Sequence, residues 1–133
     1  MDKKLSKSFE DYIEAAYLIK KRKKVVRVKD IADALNVSLP SVTEAIKKLA
    51  RRGLVVYEKY GLVELTKRGE KAAKGVYKKH KTLSKFLITI LGLDEETALH
   101  DACIMEHGLS RKTLARLIKF IKKIDSLMLK NLK

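Results

Sequence analysis

The sequence predicts a mainly α-helical protein with one short β-hairpin set between its helices. Apolar residues recur every three or four positions along most of the 133 residues, and two short runs rich in branched apolar residues flank Tyr60 and Gly61. Hydrophobic residues make up 46% of the chain. That content is enough for a buried core, in one domain or in two small domains that share a helix.

The first helix is expected over residues 6–20, and a basic loop over residues 20–24 is expected to end it. The apolar residues that recur at helical spacing in this segment are Phe9, Ile13, Ala16 and Tyr17. A short second helix over residues 30–35 follows, and residues 36–38 form a tight turn.

Ser38 is the expected N-cap of the third helix, and Pro40 is tolerated in the first turn, where no intrahelical donor is lost. Gly53 is expected to end this helix. The residues expected to face the core are Val42, Ile46 and Leu49. The runs over 54–58 and 62–65 then form the hairpin. Helix, turn, helix and hairpin in this order indicate an N-terminal winged helix-turn-helix.

The rest of the chain is expected to be all helical. Thr66 caps a long helix that Gly92 ends, and the acidic residues 94–96 begin the next helix, where the helix dipole favours negative charge. Ser110 caps a further helix to about residue 123. No flexible linker separates the two halves, so we expect them to be coupled through the long helix.

The charge balance points to a polyanionic partner. Thirty-one Lys and Arg residues against sixteen Asp and Glu residues give a net charge of +15, which attracts phosphate at long range. A lysine-rich solvated surface of the thermophilic type is the alternative explanation for this charge. The absence of glutamine and the presence of only two asparagines agree with that alternative.

Several classes of protein are disfavoured by the composition. The longest apolar stretch, residues 86–91, is far shorter than the roughly 18 residues of a membrane span. The start of the chain lacks the apolar region of a signal peptide, and one cysteine precludes an intrachain disulfide. We therefore expect a cytoplasmic protein with no membrane partner.

The winged helix-turn-helix assigns roles to individual residues. The start of its second helix faces base edges, and the residues there are Ser38, Pro40, Ser41 and Glu44. Pro40 offers an apolar surface to a thymine methyl group, and Glu44 either accepts from a cytosine amine or leans back on Lys47 or Lys48. The candidates for phosphate contacts are Lys29, Lys48, Arg51, Arg52 and Lys59. A winged helix that binds only protein is the alternative.

A second constellation suggests metal binding. Cys103, Glu106 and His107 stand at i, i+3 and i+4, so a helix places a thiol, a carboxylate and an imidazole on one face. Taken singly, Cys103 fits a buried small hydrophobic residue, Glu106 fits a solvated carboxylate and His107 fits a residue that caps the end of a helix. Two further places could supply ligands: His80 on the long helix, and the carboxylates Asp11 and Glu14, three residues apart on the first helix.

Four segments in order resemble the diphtheria-toxin-repressor family of metal-dependent repressors. They are FEDYIE at 9–14, VSLPSVT at 37–43, VYKKH at 76–80 and ACIMEH at 102–107, and the resemblance spans roughly residues 6–125. It implies a homodimer that binds double-stranded operator DNA when Fe(II) or Mn(II) is bound and represses metal-uptake genes. It also implies a winged helix over residues 1–70 and an all-helical metal-binding and dimerisation domain over residues 71–133, without the SH3-like third domain of longer members.

The ligands that this resemblance implies are Asp11, Glu14, His80, Cys103, Glu106 and His107. The manganese branch of the family has a glutamate at the position of Cys103, whereas the iron branch has the cysteine but a methionine at the position of Asp11. The iron branch's ancillary site has a glutamate and a histidine where Ser84 and Leu99 stand. The sequence is therefore a hybrid of the two branches, and Co(II), Ni(II) or Zn(II) could also bind in vitro.

These ligands suggest a mechanism, because they come from both halves of the chain. An ion held by both halves would favour one spacing of the two recognition helices in a dimer, which must match major grooves about 34 Å apart. A metal-independent winged-helix regulator that senses a small molecule, or thiol oxidation at Cys103, is the runner-up. An enzyme is not expected, because no separate general base or substrate loop is evident.

Overall fold

The computed structural model of the protein describes residues 7–131 and confirms a mainly α-helical fold with a small sheet. The elements, in chain order, are α1 Lys7–Lys23, β1 Val26–Arg27, α2 Val28–Leu35, α3 Leu39–Arg51, β2 Val55–Tyr57, a 3-10 turn Lys59–Gly61, β3 Leu62–Leu65, α4 Lys67–Thr89, α5 Glu95–Gly108 and α6 Arg111–Asn131. Within this range no helix has the length and hydropathy of a membrane span.

The sheet has three strands rather than the two of a simple hairpin. Its order is β1-β3-β2 and both pairings are antiparallel, with Val26 opposite Val63 and Val55 opposite Leu65. Strand β1 was not predicted, because two residues are too few to show an alternating pattern.

The predicted basic loop over residues 20–24 is wrong, because α1 continues through Lys23. Four basic residues fill the last turn of the helix, where the negative end of the helix dipole favours positive charge. The helix ends at Lys23, and the φ of +69° at the next residue, Lys24, lies in the left-handed region.

By its contacts the chain divides into two compact units, one ending at Val76 and the other beginning at Tyr77. The predicted domain boundary after residue 70 stays a prediction. In the first unit, Val42, Ile46 and Leu49 of α3 are fully buried, as predicted from their spacing. Ile13, Ile19 and Ile31 from α1 and α2 are buried in the same core.

Thr66 joins the hairpin to the start of α4. Its hydroxyl donates to the carbonyl oxygen of Gly53 (2.7 Å) and accepts from the backbone N–H of Gly69 (3.0 Å), so Thr66 caps the helix as predicted. Gly69 allows a close approach, because a Cβ atom there would lie 1.9 Å from the carbonyl oxygen of Leu54. Residue 69 must therefore be glycine for α4 to leave the sheet in this direction.

The second unit contains most of α4 together with α5 and α6. Its buried apolar residues are Leu83, Leu87, Ala98, Ala102, Leu114 and Ile121. Asp94 caps α5 by accepting from the backbone N–H of Thr97 (3.0 Å), and this bond lowers the pKa of Asp94. Ser110 caps α6 by accepting from the N–H of Thr113 (3.1 Å). The predicted N-termini of both helices are confirmed, and α6 extends to Asn131, beyond the expected end near residue 123.

Asp30 connects α1, β1 and α2. It accepts hydrogen bonds from the Lys23 ammonium (3.0 Å) and from the backbone N–H of Arg27 (3.0 Å). The Lys23 hydrogen bond is the main cause that holds the pKa of Asp30 below its ordinary value of 3.8. The carboxylate thus stabilises the fold above the unfolded-state pKa, and this contribution disappears as the pH falls through the folded-state pKa.

We expect Asp30→Ala to lower the free energy of unfolding near pH 7 by about 1 kcal/mol, the typical cost of losing a helix-capping side chain. Asp33→Ala is the matched control, because Asp33 is exposed on the same helix. Urea unfolding measured at pH 7 and below pH 3 should show the Asp30 difference shrinking in acid. An equal loss of stability at both pH values would contradict the role of the ionised carboxylate.

Candidate metal centre and DNA-reading helix

The antiparallel packing of α4 on α5 positions the candidate ligands of the second unit. Leu83 and Leu87 follow His80 on one face of α4, and Ala98 and Ala102 precede Glu106 on one face of α5. The imidazole of His80 contacts the carboxylate of Glu106, so these two residues face each other at one end of the interface.

Three candidate ligands converge at this end. Ligand atoms of His80, Cys103 and His107 lie within 4.8 Å of one another, and all three side chains are half-buried. The two imidazole rings meet edge to face, with their centroids 6.3 Å apart. Two nitrogen donors and one thiol at this spacing suit a single divalent transition-metal ion.

Glu106 brings a carboxylate to the same place. Its side chain is only 3% exposed, against 20% for that of His80. Burial of an ionised carboxylate is unfavourable unless a positive charge compensates it, and a divalent cation would supply that charge. The buried carboxylate and the N, N, S donor set therefore fit a bound metal ion.

The other two predicted ligands lie in the first unit. Asp11 and Glu14 are half-buried on α1, and their three-residue spacing places them on one face of that helix. Their participation in a metal site stays a prediction.

Three nearby residues are not candidate ligands. The hydroxyl of Ser84 donates to the carbonyl oxygen of Lys81 (3.3 Å), and Leu99 is 54% exposed on α5. His100 lies beside Asp101 (3.3 Å) with most of its side chain in solvent. At the two positions where the iron branch has its ancillary ligands, this chain thus has a serine whose hydroxyl bonds to the backbone and a leucine on the surface.

The start of α3 is exposed, but its two serines bond to each other. Ser38 caps the helix by accepting from the N–H of Ser41 (3.3 Å), and the Ser38 hydroxyl also donates to the Ser41 hydroxyl (2.8 Å). Glu44 lies 3.8 Å from the ammonium of Lys48, which matches the alternative that Glu44 leans back on a lysine. Pro40 remains exposed at the first turn.

Part of the exposed face of α3 was not predicted from the sequence. A shallow groove of about 430 Å³ lies along this face, lined by Leu39, Pro40, Thr43, Glu44 and Lys47. The buried positions of α3 could have predicted this face, because the residues on the opposite side of a helical wheel must face solvent.

The predicted phosphate contacts are spread over three elements of the first unit. Lys29 is exposed on α2, Lys48 and Arg51 are exposed on α3, and Lys59 is exposed in the 3-10 turn. Arg52 differs, since it is half-buried at the end of α3, where its carbonyl oxygen accepts from Arg68 (3.4 Å).

Two family models match the chain. The model described as iron dependent repressor, N-terminal DNA binding domain, matches residues 4–63. The model described as iron dependent repressor, metal binding and dimerisation domain, matches residues 66–127. Together they cover both units.

Individual proteins agree with these models. An uncharacterized HTH-type transcriptional regulator of Methanocaldococcus jannaschii is 44% identical over 120 residues, which are 90% of this chain and 96% of the relative. The HTH-type transcriptional regulator MntR of Lysinibacillus sphaericus is 40% identical over 118 residues, with coverages of 89% and 84%.

Solved structures share the fold. One described as a manganese-dependent transcriptional repressor complex with manganese matches with a TM-score of 0.73 at 30% identity, over 86% of this chain and 52% of that chain. A crystal structure of T. acidophilum IdeR matches with a TM-score of 0.72 at 25% identity, over 91% and 56%. The chain spans about half the length of these solved structures.

Cobalt(II) is a suitable probe of the candidate metal centre, because a cobalt–thiolate bond absorbs light and the thiol must lose a proton to bind. We expect metal-free protein titrated with Co(II) to develop this absorption, with an affinity that rises with pH. Cys103→Ser should lack the band. His107→Ala should weaken binding by at least the roughly 10- to 100-fold that loss of an outer-shell partner costs.

His100→Ala is the matched control, since His100 lies on the same helix outside the cluster. Its titration should match that of the unmodified protein. Metal binding by the unmodified protein without a thiolate band would remove Cys103 from the ligand set.

Proposed function

This chain belongs to the iron-dependent repressors of the diphtheria-toxin-repressor family, which are metal-dependent DNA-binding regulators, and we propose that it represses metal-homeostasis genes when Fe(II) or Mn(II) is bound. The main support for the proposal is that His80, Cys103 and His107 converge, with the buried Glu106 beside them. The same chain has a helix, α3, with an exposed face that could read DNA. We assign the protein to the cytoplasm, where operator DNA lies.

The proposed ligand set is Asp11, Glu14, His80, Cys103, Glu106 and His107. When bound, the ion would supply positive charge that neutralises the carboxylates and favours the Cys103 thiolate. Asp11 and Glu14 lie on α1, which packs with α2 and α3 in the first core. Ligands from both units would therefore couple metal binding to the placement of the reading helix.

Cys103 and the two α1 carboxylates have opposite metal preferences. A thiolate favours Fe(II), Co(II) and Zn(II), whereas carboxylate oxygens suit Mn(II). A similar solved protein was determined in complex with manganese. We propose that this site responds to both Fe(II) and Mn(II), because it combines the two kinds of ligand.

We further propose that the protein binds its operator as a homodimer through the second unit. Large apolar side chains are exposed in that unit, where a partner subunit would cover them. The ones more than half exposed are Leu91 (59%), Leu99 (54%), Ile104 (53%), Phe120 (56%) and Leu127 (52%). A two-fold dimer would present two copies of α3, which matches a palindromic operator.

The proposal predicts that metal strengthens operator binding through ligands from both units. Asp11→Ala and Glu106→Ala should each lower metal affinity and abolish the metal-enhanced binding. Both variants should retain the weak, salt-sensitive binding that the basic surface provides. Fluorescence anisotropy with a selected palindromic duplex, with and without Mn(II) or Fe(II) under anaerobic conditions, measures this.

His100→Ala again serves as the control and should respond to metal like the unmodified protein. Chelator-treated protein that binds the duplex as tightly as metal-loaded protein would refute the proposal. That result would favour a metal-independent regulator that senses a small molecule or thiol oxidation.

The mixed ligand set predicts that single substitutions shift metal selectivity. Cys103→Glu should raise activation by Mn(II) relative to Fe(II), because a hard oxygen replaces a soft sulfur. Asp11→Met should shift the ratio towards Fe(II) for the opposite reason. Operator binding against each metal, under reducing and anaerobic conditions, gives the ratio. An unchanged ratio in Cys103→Glu would mean that Cys103 is a buried thiol and not a ligand.

A further inference from the structure

The outer face of α6 carries a row of basic residues that the metal centre does not use. Leu114 and Ile121, seven residues apart, are buried in the second core and mark the inner face of this helix. On the opposite face, exposed basic residues recur at helical spacing and form what we call the α6 basic row. Its members are Lys112, Arg116, Lys119, Lys123 and Lys130. At the rise of an α-helix the row is about 27 Å long.

The row is not balanced by acidic side chains. Elsewhere in the chain, the exposed Lys74 lies 3.4 Å from Glu70, one turn earlier on its helix. Helix α6 has a single acidic residue, Asp125, which is half-buried on another face of the helix. Among the described residues, no salt bridge reaches the row. A lysine-rich surface of the thermophilic type gains stability from networks of both signs, which this row lacks.

The row also weakens its own helix. The first turn of α6 contains Lys112 and no acidic residue, although the positive end of the helix dipole favours negative charge there. Successive members of the row between 112 and 123 lie three or four residues apart, and like charges at these spacings destabilise a helix. The stability of the fold therefore does not explain the row.

A row of unbalanced cations is complementary to a chain of phosphates. Duplex DNA carries one negative charge per about 1.7 Å of its axis, so several phosphates lie within the length of the row. A membrane surface fits less well, because a helix that lies on lipid buries an apolar face, and the apolar face of α6 is turned into the core. A second copy of α6 laid across the row would bring like charges together.

We propose that the α6 basic row is a second contact for duplex DNA, independent of base sequence, on the unit that does not contain α3. The choice of DNA rests on the proposed function, since a repressor at its operator is surrounded by duplex DNA. The row would neutralise phosphates and release their counterions without reading bases. It is compatible with the proposed homodimer, because Phe120 and Leu127 lie on one flank of the row, and a partner that covers them would lie beside it.

The test compares two double variants of the full, metal-loaded chain that lose the same charge. Arg116→Gln/Lys123→Gln removes two members of the row. Arg111→Gln/Lys122→Gln removes one Arg and one Lys that are exposed on the same helix but outside the row, and it is the matched control. Glutamine is a good helix former, so both variants should fold, which circular dichroism checks.

The probe is a short duplex of random sequence, and fluorescence anisotropy measures its affinity over a series of salt concentrations. We expect the row variant to bind roughly tenfold more weakly at low salt, with a salt slope smaller by about 1.8, because each lost phosphate contact removes about 0.9 from the slope. The control variant should bind like the unmodified protein. Vesicles that contain phosphatidylserine are the second probe, and neither variant should differ from the unmodified protein in binding them.

Three results would overturn the inference. The first is an unchanged salt slope in the row variant. The second is an equal loss of DNA binding in both variants, which would mean that only the total charge matters. The third is a row variant that loses vesicle binding and keeps DNA binding, which would make the row a lipid contact. The proposed function is tested separately, because Mn(II) should still strengthen operator binding in the row variant, and its failure to do so in the unmodified protein would count against that function alone.

Discussion

The burial of one carboxylate constrains the second unit more than any other feature. Glu106 lies almost fully inside, facing His80 across the contact between α4 and α5. A buried carboxylate is stabilised by a compensating positive charge, which the metal ion of the proposed site would supply. The contact between His80 and Glu106 defines which residues of α4 and α5 face each other at this end. The same arrangement brings His80 to Cys103 and His107.

Apolar packing supports this contact. Ala98 and Ala102 of α5 are buried in the second core together with Leu83 and Leu87 of α4, on the faces that lead to Glu106 and His80. A larger residue at either alanine would overpack this contact and separate the ligand atoms. The apolar packing is thus what sets the distance between the donors.

In the first unit, the packing leaves one face of α3 exposed. Val42, Ile46 and Leu49 anchor the helix in the core, and the groove lined by Leu39, Thr43 and Lys47 is left open on the other side. Thr66 and Gly69 fix the hairpin against the start of α4, and Asp30 fixes α2 to α1 and β1. The exposed face of α3 is therefore positioned by short polar bonds around an apolar core, while its own side chains stay in solvent.

Apolar periodicity and capping residues in the sequence determined the number and order of the helices. Ser38, Thr66, Asp94 and Ser110 each begin a helix as predicted, because a capping bond joins residues only three apart. The spacing of Cys103, Glu106 and His107 likewise predicted their shared face, since the geometry of one helix is local. Only the tertiary structure decided features that depend on distant residues. Strand β1 exists because β3 pairs with it, and the groove on α3 is defined by what the core buries. The approach of His80 to α5 and the burial of Glu106 belong to the same class, because packing between residues more than twenty positions apart fixes them.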